Sequence, residues 1–339
     1  MAIKPASDQE EYDIDAVCEF RQLNKLSCTQ EQLKIALGAE VDAYRQAHGM
    51  LKPMRERRRC WTLDYADGAQ FHMDVMPAVP NAQGLRELLE RHHLDTRFAA
   101  TGIAITDNEA INYRAKSEHW HRSNPKGYHQ WFVSRMKVIF ERRRMQLKER
   151  MRVTASVETI PDYKVKTPLQ QAIMILKRHR DLRFADRPDE RPISIILTTL
   201  AAHAYNGAET IGQALLSILS GMDRYIEMRD GVPWVANPTD PWENFADRWR
   251  THPERARAFR EWLELARADF TYLATLHSRQ SITESIAPRI GRPLAERAQK
   301  RRVAAPSSLL RSSTSAPAVI SSLAFPSEPR VPTKPRGFA

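Results

Sequence analysis

The sequence predicts an α+β protein: a mixed sheet with flanking helices, followed by a helical domain and a disordered tail. Three observations carry this. The first 155 residues interleave strand-like alternation with helix-like spacing, and residues 156–300 repeat apolar side chains almost throughout at helical spacing. From 301 to 339 neither period survives, and residues 303–339 hold six prolines and eight serines, too little apolar surface to offset the entropy of ordering. The expected divisions are therefore 1–155, 156–300 and 301–339. A chain of 339 residues with 42% hydrophobic content is long enough to fill the core of one large or two ordinary domains.

Each element has its own signal. Tyr12 to Phe20 (YDIDAVCEF) alternates acidic and apolar residues at its start, so Asp13 and Asp15 share one face of a strand. Thr29-Gln30-Glu31-Gln32 reads as a capping box, and Leu33, Leu37, Val41 and Tyr44 follow at helical spacing. Cys60–Tyr65 and Gln70–Val79 read as strands joined by a turn at Ala66-Asp67-Gly68-Ala69. The second strand carries Asp74, and strand–helix–hairpin order brings Asp74 beside Asp13 and Asp15 if the three strands share a sheet. Further on, Thr167-Pro168-Leu169-Gln170 is a helix start with proline at the first helical position. Asn237 to Pro241, with Trp242 and Phe245, reads either as a loop beside a pocket or as a turn followed by a core-packed helix.

Composition narrows the function. Three cysteines (Cys18, Cys28, Cys60) without paired spacing argue against a disulfide framework or a cysteine-rich zinc site. The first fifteen residues lack a signal-peptide layout, and the most apolar stretch, Ile193–Tyr205, is too short to span a bilayer. A cytoplasmic protein that engages no membrane is expected. The net charge of +11 is divided: Lys300 to the end carries seven basic residues and one acid, leaving +5 for the rest. Arg135–Arg152 holds eight basic residues and two acids, read as the solvated face of a long helix. His119-Trp120-His121 has no partner at zinc-like spacing.

The chemistry lies with the aspartates. Two carboxylates two apart on a strand, with a third on its neighbour, form an oxygen-rich cage suited to Mg2+. Two such ions can activate an attacking hydroxyl and stabilise a pyrophosphate leaving group, which is phosphoryl transfer from a nucleoside triphosphate. Asp13 and Asp15 would bridge two Mg2+ ions, or Mn2+ in their place. Asp74 would bind the ion on the hydroxyl side and accept the hydroxyl proton. Alone, D-x-D is also a common pattern on solvated strand faces.

EEYDIDAVCEF (10–20), CWTLDYADGAQFHMDVMPAVP (60–80) and SNPKGYHQWF (123–132) resemble the bacterial cGAS/DncV-like nucleotidyltransferases (CD-NTases) of the DNA polymerase beta-type superfamily. The similarity continues through TPLQQAIMILKRHRDLRF (167–184), PISIILTTLAAHAY (192–205) and VANPTDPWENFADRW (235–249). The resemblance implies a polymerase beta-type catalytic core in 1–155 and a helical domain closing the nucleotide site in 156–300. It implies a Mg2+-dependent enzyme joining ATP and other nucleoside triphosphates into a cyclic di- or trinucleotide second messenger for CBASS anti-phage defence. Nucleic acid is not required as a partner. By the same resemblance Asp13, Asp15 and Asp74 are catalytic metal ligands, Lys177 and Ser194 contact the triphosphate, and Asn237 lies in a loop near the nucleotide.

Against the family pattern, the Gly-Ser turn expected before the D-x-D strand is missing. The chain begins Met1-Ala2-Ile3-Lys4-Pro5, and Ser7 is too close to Asp13 to replace it. The resemblance therefore implies either a start placed too late or a truncated, degenerate enzyme, with weak or no activity in this chain. The tail, ending Lys334-Pro-Arg-Gly-Phe-Ala339, suggests CBASS regulatory or conjugation proteins as partners. Two alternatives stand beside the synthase: a nucleotidyltransferase modifying RNA or protein, and a non-catalytic nucleotide- or nucleic-acid-binding module.

Overall fold

A computed structural model describes residues 12–65, 71–152, 162, 165–276 and 279–292. The 66–69 turn, the 155/156 division and the 301–339 tail lie outside the described residues. The first half contains β1 (Tyr12–Glu19), α1 (Gln30–Ala47), β2 (Arg55–Glu56), β3 (Trp61–Tyr65), β4 (Phe71–Pro80), α2 (Ala82–Arg91), β5 (Ile103–Ile105) and β6 (His121–Ser123). α3 (Pro125–Arg152) leads out of the sheet.

β4 is the hub of a six-stranded sheet in the order β2-β3-β4-β5-β6, with β1 also paired to β4. β1 runs parallel to β4, from Tyr12 opposite Phe71 to Glu19 opposite Ala78. The antiparallel partners of β4 are β3 along its first half and β5 at its end. A parallel pair needs a crossover between its strands, and here that connection contains α1. Its capping box forms as the sequence predicts: Gln32 N–H donates to Thr29 Oγ1 at 3.1 Å and Thr29 N–H to Gln32 Oε1 at 2.9 Å.

The sheet's two faces differ because side chains alternate along a strand. One face carries Cys18, Leu63, Met73 and Val75, packed with Leu37 and Val41 of α1. Burying those apolar residues fixes the register, since a one-residue slip would turn the aspartates inward. Lys34 of α1 is fully buried and holds the β2–β3 loop. Its Nζ donates to the carbonyls of Arg57 and Arg58 and pairs with Glu56 at 3.0 Å.

The second half contains α4 (Pro168–Arg183), α5 (Ser194–Ala204), α6 (Ile211–Gly221), α7 (Pro253–Thr275) and α8 (Arg279–Ile290). Its core joins Trp131 and Phe132 of α3 to Leu169, Ile173 and Leu176 of α4, Leu197 and Leu200 of α5, and Phe259 and Trp262 of α7. Arg135 and Arg142 of the basic run in α3 are exposed, as expected of a solvated face, and Arg143 is half-buried, yet all three also tie α3 to this half. Arg135 Nε donates to the Ala202 carbonyl at 3.0 Å, Arg143 donates to the carbonyls of Lys166 and Glu209, and Arg142 pairs with Glu209.

The expectation of an almost wholly helical second half is corrected by two small antiparallel ribbons. These are β7 (Glu227–Arg229) with β8 (Val232–Trp234), and β9 (Ala236–Asn237) with β10 (Asp240–Asn244). Trp242 therefore lies on a strand, not a helix. Pro238 and Pro241 lack N–H donors and hold the preceding residues extended. The Asn244 side chain supplies the missing pairing: its Oδ1 accepts from the N–H groups of Val235 and Ala246, and its Nδ2 donates to the Pro233 carbonyl. No helix among the described residues is long and apolar enough to cross a membrane.

Candidate active site

The solvent-side face of β1 and β4 carries the acidic residues. Asp15 is directly opposite Asp74, and Asp13 is opposite His72. The Asp13 side chain lies outside the described set. Paired positions on adjacent strands project to the same side of a sheet, so Asp15 and Asp74 are neighbours on one face. Asp15 is exposed and Asp74 half-buried.

From the other edge of β4, Thr62 on β3 stands opposite Asp74, and its Oγ1 donates to Asp74 Oδ1 at 2.5 Å. Cys60, just before β3, lies close enough for burial first and the Asp74 charge second to push its thiol up to about 11. Two positions along, Asp64 accepts from Arg55 Nη2 at 2.6 Å. Among the described residues no group of three His, Cys, Asp or Glu side chains is gathered as a metal set. Of the described carboxylates on this face, Asp15 and Asp74 are the pair that stand directly opposite each other.

The same face extends across the sheet. Ala78 pairs with Ile105, and Ile105 with His121, so His121 lies on the side that carries Asp74. His121 lines a cavity of about 1030 Å3 whose walls include Arg59, Arg122, Trp234, Glu243 and Arg248. Burial and the nearby Arg59 charge hold the His121 imidazole below its usual range. Three of the cavity's arginines are committed to buried carboxylates: Arg58 Nε and Arg59 Nε donate to Asp107 at 2.7 and 3.1 Å, and Arg122 Nε to Asp240 at 2.8 Å.

Lys177 and Ser194 form a second group, around Arg180. Lys177 on α4 is only 8% exposed, and burial, reinforced by the Arg180 charge, holds its amine down to about 8. Ser194, the first residue of α5, accepts from Arg180 Nη1 at 3.1 Å, while the same nitrogen donates to the Pro192 carbonyl. Asn237 is buried and turned inward. Its Nδ2 donates to Glu243 Oε2 at 2.6 Å, and its Oδ1 accepts from the N–H and hydroxyl of Thr239. This side chain closes the β9–β10 turn.

Thr62, Cys60 and Arg180 were missed in the sequence. The signal for Thr62 was available, because a hairpin centred on 66–69 already aligns residues near 62 with residues near 74. Arg180 and the Arg122–Asp240 link carry no local signal.

No protein-family profile matches the chain. Among curated proteins it is 32% identical over 268 residues to the c-di-GMP synthase of Roseivirga ehrenbergii, covering 76% of this chain and 63% of that protein. It is 26% identical over 254 residues to the cyclic dinucleotide synthase CdnG of Bradyrhizobium diazoefficiens, covering 71% and 54%. The chain thus spans less than two thirds of the length of both relatives. Among solved structures it is similar to the Bradyrhizobium diazoefficiens CD-NTase CdnG in complex with GTP. There the TM-score is 0.57 at 22% identity, over 86% of this chain and 79% of that one. It is also similar to the di-nucleotide cyclase DncV of Vibrio cholerae in complex with GTP and 5MTHFGLU2, with a TM-score of 0.55 at 14% identity over 85% and 66%.

The chain therefore has the α+β nucleotidyltransferase fold of the CD-NTases. The resemblance read from its motifs holds in both sequence and structure: the proteins it matches are named as cyclic dinucleotide synthases or as CD-NTases.

Proposed function

We propose that this chain is a nucleotidyltransferase that joins nucleoside triphosphates into a cyclic dinucleotide, with Asp13, Asp15 and Asp74 at its catalytic centre. The observation that supports this most is the register of Asp15 against Asp74 on an otherwise well-packed sheet. Two carboxylates on one face repel each other and bring no packing gain, so their placement points to a shared cationic ligand. The relatives' names favour a dinucleotide over a larger ring, and GTP and ATP are the natural candidate substrates.

The donor set fits a hard divalent cation: carboxylate oxygens from two adjacent strands, with a third carboxylate two residues along β1. Mg2+, or Mn2+ in its place, would be held by Asp15 and Asp74 together with Asp13, and two ions is the expected number. When bound, it would offset triphosphate charge and lower the pKa of the attacking ribose hydroxyl. Asp74 would accept that hydroxyl's proton, and Lys177 would pair with triphosphate oxygens while Ser194 donates to them. The cavity lined by His121 is large enough for a nucleoside. By the same reading the product acts as a CBASS anti-phage signal in the cytoplasm, with regulatory or conjugating partners engaging the 301–339 tail.

The test is incubation of the chain with Mg2+ and all four ribonucleoside triphosphates, with products read by mass spectrometry. A cyclic dinucleotide is expected, reduced at least about 100-fold in Asp15→Asn and Asp74→Asn. Nucleotide added to RNA or protein instead would replace this reading with the alternative transferase. Equal output from the wild type and both variants would overturn it.

A further inference from the structure

Asp74 is reached from β3 as well as from β1. Thr62, directly across the antiparallel pair, is 1% exposed. Its hydroxyl donates to Asp74 Oδ1 at 2.5 Å. An O–H···O− bond of this length is charge-assisted and roughly twice as strong as a neutral one. Cys60, two residues earlier and half-buried, lies beside the same carboxylate. The β3 side of Asp74 is therefore lined by donors, and the β1 side by the carboxylate of Asp15. A lone carboxylate on a half-open strand face turns about its side-chain torsions, and each alternative orientation costs a cation site affinity. A donor that is itself buried in a strand pair removes that freedom before any ligand arrives.

We infer that Thr62 is a positioning residue for Asp74: its buried hydroxyl holds one carboxylate oxygen from the β3 side and leaves the other for a divalent cation shared with Asp15 on the β1 side. This rests on the reading of Asp15 and Asp74 as cation ligands. The same bond explains why a threonine occupies a fully buried position in the middle of a strand. Valine would pack there equally well but leaves the carboxylate unheld.

The experiment titrates the full chain with Mn2+ alone and measures free ion by electron paramagnetic resonance, so the readout does not depend on turnover. Thr62→Val is expected to weaken Mn2+ binding by about 10–100-fold, the range for losing a group that orients a metal ligand. Thr62→Ser, which keeps the hydroxyl, is expected to bind like the wild type. Circular dichroism checks that each variant folds, and Thr62→Ala replaces the valine variant if that one does not. Unchanged affinity in Thr62→Val, alongside lost affinity in Asp74→Asn, overturns the positioning role and leaves the carboxylate site standing. Unchanged affinity in Asp74→Asn overturns the site itself.

Discussion

Asp240 of β10 lies against Arg122 of β6, although 118 positions separate them: Arg122 Nε donates to one carboxylate oxygen at 2.8 Å and Nη2 to the other at 3.2 Å. The Asp240 side chain is 3% exposed. The Arg122 guanidinium also lies over the Trp242 ring at 5.9 Å, and Trp242 packs edge-on against His92. This contact fastens the second ribbon to the edge of the six-stranded sheet. Removing the arginine strands a buried carboxylate, so Arg122→Ala is expected to cost about 3 kcal/mol of stability. Asp240→Asn, which keeps the shape and drops the charge, should cost less. Urea unfolding of the three proteins measures the difference.

Gly38 lets α1 approach the sheet. A Cβ there would stand 2.7 Å from two ring carbons of Trp61, whose indole N–H donates to the Lys34 carbonyl at 2.8 Å. Alanine gains about 1 kcal/mol of helix propensity but forces the ring aside at a cost of about 1–3 kcal/mol. Gly38→Ala is therefore expected to lower the melting temperature, and in Gly38→Ala/Trp61→Phe the loss should shrink because the smaller ring makes room.

Acid should destabilise the helical half in two stages. His203 stacks on Tyr225 and meets Trp131, and burial, with Arg135 nearby, lowers it to about 4. A histidine whose folded pKa lies below its unfolded value of about 6.5 contributes stability that is complete above that value and lost as pH falls toward 4. Asp269 follows at lower pH. Burial raises its pKa, but donors from His179, Arg183 and Arg289 outweigh this and bring it down to about 2. Its contribution is present above about pH 4 and is lost as pH falls toward 2. Chemical denaturation from pH 8 to pH 4 is expected to show declining stability that flattens in His203→Gln. A steep further loss below pH 4 should vanish in Asp269→Asn.

Lys177 should lose its charge within reach of ordinary buffers. With its amine held down to about 8 by burial and Arg180, it is a cation at pH 7 and largely neutral at pH 9. If it pairs with triphosphate, the KM for nucleotide is expected to rise several-fold over that interval. Lys177→Gln should have a high KM that is flat with pH. A rise that persists in the variant would assign the titration to another group.

Much of the N-terminal fold was legible in the chain itself. The alternation in YDIDAVCEF, the Thr29 capping box and the turn residues at 66–69 are local signals, each answering to neighbours within a few positions. From them the strand–helix–hairpin order followed, and with it the meeting of Asp15 and Asp74. The ribbons of the second half were not legible, because β8 to β10 are held by the Asn244 side chain and by proline geometry instead of by any apolar period. Lys177, Ser194 and Asn237 could be picked out only by family resemblance, since nothing local distinguishes a nucleotide contact from a cap or a turn.

By itself, then, the sequence determined which faces are apolar and so which registers bury them, because burial energy acts through short periods that any strand or helix displays. Only the tertiary structure decided that Thr62 would grip Asp74, that Arg180 would gather Ser194, that Asn237 would turn inward to Glu243, and that Arg122 would bind Asp240. Each of those is a directional bond between residues whose nearness depends on how whole elements pack, and a linear pattern records distance along the chain, not across it.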